Sequence, residues 1–165
     1  MLKVVARKTH RLHVSIRLRR PLSEVFPFFA DARNLERITP PWLRFHVLTS
    51  GKIEMREGLT IDYRLRLRGI PIRWTSRISA WEPPGRFVDE QERGPYLVWR
   101  HEHRFREEVG MTVAEDDVAY AVPGGRVVNR FLVAPDLRRV FAYRCTRLRE
   151  IFDSPADARD FVRVE

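Results

Sequence analysis

The sequence predicts an α+β fold: a strongly curved antiparallel sheet wrapped around one long C-terminal helix, with two short helices after the first strand. Three observations carry this. Long stretches alternate apolar and charged residues with period two, as half-buried strands do. The links between them are short and hold Gly or Pro, which favours antiparallel neighbours. Near the end, Pro135–Phe152 changes to apolar spacings of three and four residues. An amphipathic sheet must cover its apolar face. One helix cannot fill a whole concavity, so a cavity is expected between the two.

The elements follow in order. Residues 1–8 read as a frayed arm. From His10 to Leu18, Leu12, Val14, Ile16 and Leu18 alternate with Arg11, His13, Ser15 and Arg17, giving a first strand. Pro21 or Ser23 opens a short helix through Val25, Phe26 and Phe29, and a second helical turn covers Ala32 to Ile38. It must stop before Pro40-Pro41, because a residue preceding proline is pushed out of the α region. Strands are expected at Leu43–Thr49, Leu59–Arg68, Ile70–Trp81, Arg86–Glu92, Tyr96–Glu108 and Met111–Val122. The turns between the later ones fall at Gly69, Pro83-Pro84-Gly85, Gly94-Pro95 and Val109-Gly110. Val127–Val133 reads as a strand segment or an extended lead-in. The long helix starts at Pro135 and ends before Ser154-Pro155, and the tail 154–165 is expected to be flexible or to form one more helical turn.

The chain has 165 residues with 44% hydrophobic and 32% charged content, which excludes disorder and leaves one domain as the expectation. No apolar run reaches the ~18 residues of a spanning helix, and the opening MLKVVARKTHRLHV has no apolar stretch of signal-peptide length. A single cysteine, Cys145, fits a reducing compartment, so the cytoplasm is expected. The net charge of +9 comes mostly from arginines that alternate with apolar residues in strands. They are not clustered among exposed aromatics, so a nucleic-acid partner is not expected. Weak attraction to an anionic membrane surface fits the charge better.

The segment Tyr96–Phe105, YLVWRHEHRF, is the most informative. Leu97, Trp99, His101, His103 and Phe105 share one face; Val98, Arg100, Glu102 and Arg104 share the other, which reads as solvated. The aromatic face carries two imidazoles where a sealed core would carry Val or Ile, as a cavity wall does. A turn at Val109-Gly110 sets His103 against Asp116, His101 against Val118, Trp99 against Tyr120 and Phe105 against Ala114. A turn at Gly94-Pro95 sets Gln91 against Leu97 and Asp89 against Trp99. His101, His103 and Asp116 then admit three readings. They form a structural polar pair across strands, they orient a polar group of an apolar ligand, or Asp116 fixes the tautomer of a catalytic His103.

At this point the chain resembles a known family. PLSEVFPFFADARNLERITPPWLRF, GIPIRWTSRISAWEPPGRFVDEQERGPYLVWRHEHRF and LRRVFAYRCTRLREIF, in this element order, look like the START-like, helix-grip superfamily, the SRPBCC group. That group includes polyketide cyclases, lipid-transfer START domains and birch-pollen-allergen-like proteins. The resemblance runs from about Thr9 to Phe152 and implies a helix-grip fold that binds lipids, polyketides, hormones or quinones, often without catalysis. It implies no metal in the cavity. Although His101-x-His103 with Asp116 offers a zinc or iron ligand set, no third histidine lies nearby, and no cofactor is expected.

Tyr63, Trp74, Trp99, Tyr120 and Phe141 are the expected wall residues, with Phe105 beside them. Trp74 and Phe141 also suit a plain core, whereas buried tyrosine hydroxyls demand a partner. Asp89, Gln91 and Arg144 join them as candidate polar contacts. Ser76 has inward parity, and Arg77 does not. No strained nucleophile turn or phosphate-cradling loop is present. The leading expectation is an intracellular binding or carrier protein for a small hydrophobic ligand. The alternatives are a cyclase or dehydratase with His103 as base and a regulatory domain with a vestigial cavity. The oligomeric state is not readable from these residues.

Overall fold

The computed structural model describes residues 9–165; the arm expected over residues 1–8 lies outside them. Strand β1 (His10–Leu18) is followed by helix α1 (Leu22–Phe29), a 3₁₀ turn (Ala32–Asn34) and helix α2 (Leu35–Ile38). A second 3₁₀ turn, Pro41–Leu43, precedes β2, which is only His46–Val47. The expected strand from Leu43 is shortened because its first residue belongs to that turn. Then come β3 (Thr60–Leu67), β4 (Ile70–Glu82), β5 (Arg86–Arg93), β6 (Val98–Glu108) and β7 (Met111–Ala121). Helix α3 (Gly125–Val128) leads through a π-helical turn (Asn129–Val133) into α4 (Ala134–Ile151), and β8 (Phe161–Val164) closes the chain.

The eight strands form one open antiparallel sheet in the order β2-β3-β4-β5-β6-β7-β1-β8. Two of its hairpins close through residue pairs with positive φ, Arg68-Gly69 (50° and 85°) and Val109-Gly110 (50° and 72°). Such turns match the right-handed twist of the strands they join. Register shifts in β4 at Thr75/Ser76 and Ile78/Ala80 are the irregularities that bend a strand around a core. The β6–β7 register is as the sequence predicts: His103 faces Asp116, His101 faces Val118, Trp99 faces Tyr120 and Phe105 faces Ala114.

Four expectations are corrected. Asp89 pairs with His101, two residues along from Trp99. The link is wider than a two-residue turn and is closed by Gln91, whose amide donates to Tyr96 O at 2.9 Å and accepts from Tyr96 N–H at 3.1 Å. Gln91 therefore clamps the loop and does not face Leu97, while Asp89 keeps its inward parity. Val127–Val133 is helical, not extended: Gly124 turns the chain at φ 81°, and the Ala134 N–H bonds to Asn129 O, leading directly into α4. The tail is ordered, since β8 pairs with β1 from Leu12↔Val164 to Ser15↔Phe161. Lastly, the charged face of β6 is not wholly solvated, because Glu102 is buried among three arginines.

The interior packs as two clusters. The larger joins β1, β6, β7, α1 and α4 through residues such as Leu12, Ile16, Phe105, Val118, Phe141 and Leu148. The smaller holds Ala32, Ile61, Tyr63 and Ile78. Between them the sheet and α4 do not meet.

Candidate functional site

That gap is a cavity of about 180 Å³. Strand β3 contributes Ile61, Tyr63 and Leu65, and β4 contributes Trp74, Ser76 and Ile78. Alternation explains this, since each set is one parity of a strand whose other parity carries Arg or Asp. Helix α4 supplies Leu137, Val140, Phe141 and Arg144, a three- and four-residue stripe. The α1–α2 region adds Phe28, Phe29, Leu35 and Ile38. Apart from a few polar groups, the wall is apolar.

The ionisable cluster of the wall sits on β5 and β6, while Asp31, Asn34 and Thr39 of the α1–α2 region line it elsewhere. His103 Nε2 lies 3.1 Å from Asp89 Oδ2, and His101 Nε2 lies 3.0 Å from Asp116 Oδ1. His103 Nδ1 is 2.9 Å from Asp116 Oδ1, and His101 Nδ1 is 3.6 Å from Asp89 Oδ2. Each imidazole is thus held between two carboxylates, with the ring centroids 3.8 Å apart. Both histidines are buried. The His103 Nδ1 contact with Asp116 is close but out of line, so that buried nitrogen has no aligned hydrogen-bond partner. Phe87 stacks on the His103 ring at 4.1 Å.

Burial opposes charge here, but the neighbours decide where the charges lie. Burial alone would raise Asp89 and Asp116; the histidines hold both down, Asp116 well below the usual carboxylate range. Burial alone would lower His103, yet its contacts to Asp116 and Asp89 raise it. His101 is lowered, first by burial and then by the charge of His103. Ser76 links the cluster to the aromatic wall, donating to Asp89 at 3.3 Å and accepting from Trp74 Nε1 at 3.0 Å.

Arg144 stands across from this cluster. Its guanidinium stacks over Phe141 at 4.6 Å, and its Nε is buried with no hydrogen-bond partner. Among the described residues it makes no ion pair within 4 Å.

The structure therefore brings Tyr63, Trp74, Asp89, Trp99, His101, His103, Phe141 and Arg144 together around the cavity. Four predicted site residues lie elsewhere. Gln91 clamps its loop. Phe105 packs in the larger cluster against Phe29 and Phe26. Tyr120 is fully buried, with its hydroxyl donating to Asn129 Oδ1 at 2.9 Å. Asp116 sits behind the two imidazoles. Sequence reasoning missed Tyr96, Phe28 and Leu35, which also line the cavity. The aromatic run of α1 was the available signal for Phe28. Trp42 is on the outside, under the Arg139 guanidinium at 4.3 Å.

Solved structures share this architecture. The aromatase/cyclase Zhui from Streptomyces sp. R1128 superposes with a TM-score of 0.69 at 14% identity, covering 88% of this chain and 94% of that one. A START superfamily protein from Mycobacterium smegmatis gives 0.60 at 12% identity, over 86% and 99% of the two chains. Ara h 8.0201 gives 0.67 at 10% identity, over 90% and 100%. The fold is the START-like helix grip. No protein-family model and no curated protein matches the sequence. Among the described residues, no helix is long and apolar enough to cross a membrane.

Proposed function

We propose that this START-like chain binds and carries a small hydrophobic molecule between its sheet and α4, within the cytoplasm. The observation that carries the reading is the cavity itself: a largely apolar wall with a His–Asp cluster and a cavity-lining Arg144 whose buried Nε has no hydrogen-bond partner. A buried donor without a partner is costly, and a ligand with an acceptor or anionic head relieves that cost. A dry apolar cavity of ~150 Å³ takes benzene, so the space here takes a compact ring system or the end of an acyl or isoprenoid chain. The START protein among the structural neighbours supports this reading. The net charge of +9 favours loading at an anionic membrane surface.

The test begins with native mass spectrometry and solvent extraction of tag-free protein, followed by titration with 8-anilino-1-naphthalenesulfonate. A co-purifying apolar species, or saturable one-to-one dye binding, is expected. Arg144→Gln should weaken dye binding about tenfold, the scale of one lost charge-assisted hydrogen bond. An empty protein with no saturable binding overturns the reading.

A second reading, a cyclase or dehydratase acting on a polyketide-like substrate, is supported by the imidazole–carboxylate contact of His103 at the cavity wall and by the aromatase/cyclase neighbour. His103→Ala separates the two: an enzyme loses turnover while still binding, whereas a carrier loses only affinity.

A further inference from the structure

We propose that Asp89, His101 and His103 form a binding site for one divalent transition-metal ion, with Asp116 as the carboxylate that orients both imidazoles. One ligand atom from each of the three residues lies within 4.8 Å of the other two; the atoms that converge on one carboxylate oxygen are Asp89 Oδ2, His101 Nδ1 and His103 Nε2. Asp89 Oδ2 is 3.1 Å from the His103 nitrogen and 3.6 Å from the His101 nitrogen. Ligands ~2.1 Å from a common metal stand at about such separations. Two imidazoles and one carboxylate select zinc or ferrous iron over calcium or magnesium, which prefer oxygen donors.

Hydrogen counting supports the site. The four imidazole nitrogens each face a carboxylate oxygen, at 2.9, 3.0, 3.1 and 3.6 Å. Two neutral imidazoles carry two N–H groups, which satisfy the aligned contact at Nε2 of each ring; the His103 Nδ1 lone pair is then left 2.9 Å from Asp116 Oδ1. One further proton would relieve that contact by making His103 an imidazolium, its ring centroid 3.8 Å from that of His101. A divalent ion beside Asp89 supplies positive charge at the same place. With the ion bound, the His101 Nε2–H donates to Asp116 Oδ1 at 3.0 Å, and His103 carries its proton on Nδ1, 2.9 Å from the same oxygen but out of line with it. Both remaining lone pairs, and Asp89, then face the ion. Asp116 thus fixes the His101 ring by a hydrogen bond and faces the His103 ring, as a carboxylate does behind metal-bound histidines.

The direction of the site also fits. Asp89, His101 and His103 line the cavity, and Asp116 does not. Three protein ligands therefore sit on the cavity side with the orienting carboxylate behind them, leaving a position open towards whatever occupies the cavity, as in three-ligand sites that bind water or substrate. The sequence pairs Asp116 with the two histidines as a ligand set. The fold gives that place to Asp89, because the β5–β6 register sets it against His101.

This inference is independent of the hydrophobic ligand, so its test uses the metal alone. Tag-free, chelator-stripped protein is titrated with Zn²⁺ by calorimetry and with Co²⁺ by visible absorption. Binding of one equivalent per chain, with the d–d absorption of a low-coordinate imidazole site, is expected. Asp89→Asn and His103→Gln should each weaken Zn²⁺ binding at least about 100-fold, one of three protein ligands being lost. Asp116→Asn should weaken it by about 10–100-fold, and His46→Ala should leave it unchanged. Far-UV circular dichroism confirms that each variant folds, and the wild-type cobalt spectrum stands even if one does not. Failure of the wild type to bind stoichiometric Zn²⁺, or affinity unchanged in folded Asp89→Asn, overturns the proposal.

Discussion

Glu102 shows what one inverted side chain does to a sheet surface. It projects from β6 opposite the two histidines, and Arg86, Arg100 and Arg104 all donate to it at 2.8–2.9 Å. Burial alone would raise its pKa, but those three donors hold it down at about 2. Removing the carboxylate leaves three guanidinia converging on one another. Glu102→Ala should therefore destabilise the protein by about 2–3 kcal/mol, discounted from a fully buried pair because the arginines reach solvent; the urea midpoint measures it, and high salt should shrink the difference. Cys145 is the opposite case, a residue with chemistry and no use for it. It is buried in α4, and burial pushes its thiol up to about 12, so the reactive thiolate is absent at neutral pH. A thiol reagent at pH 8 should label it only as fast as the chain unfolds; rapid labelling of the native state contradicts this. Period-two parity was enough to put both histidines on the inner face. It could not show that Glu102 is covered, since that depends on Arg86 reaching over from β5 to join Arg100 and Arg104 of the same strand.

At the scale of elements, the C-terminal strand carries more than its four residues imply. Besides β8 pairing with β1, the Arg11 and Glu165 backbones exchange bonds of 3.0 and 2.8 Å. Asp160 accepts from the Arg17 backbone N–H at 2.9 Å and from the Arg149 guanidinium at 2.8 Å, tying β1 to α4. Asp160 is 5% exposed and Arg17 11%, so losing the carboxylate strands buried positive charge. Asp160→Ala should cost about 3 kcal/mol, the usual effect of breaking such a contact from one side, whereas a loose tail would give under ~0.5 kcal/mol in the same denaturation experiment. This element was not legible because FVRV is too short for its alternation to stand out, and its partner strand lies about 150 residues earlier in the chain, a pairing set by topology rather than by local pattern. The β6–β7 register was legible because a two-residue turn with positive φ admits one pairing. The β5–β6 register was not, because a side chain, Gln91, closes that loop in place of backbone.

For the whole molecule, the question is why the two core clusters do not fuse. A chain selected for stability alone would close the gap, since each missing methylene contact weakens a core. The gap persists where β3, β4 and α4 face one another, and the sequence anticipates it: the inward parity of those strands carries Tyr63, Trp74 and Ser76, whose polar atoms a sealed interior avoids. What the sequence could not convey is the size of the space, which depends on the bends in β4 and on where the π-helical turn sets the start of α4. Val140, on the α4 wall, tests whether the space serves binding. Val140→Phe adds bulk where there is no wall to strain, so the melting temperature of the empty protein should hold or rise, as cavity filling commonly gives. Ligand binding stabilises the native state by mass action. The naphthalenesulfonate-induced rise in melting temperature should therefore be present in the wild type and absent in Val140→Phe. Equal dye-induced shifts in the two proteins would mean that the dye sits elsewhere, and that the space between sheet and helix is a packing defect with no ligand of its own.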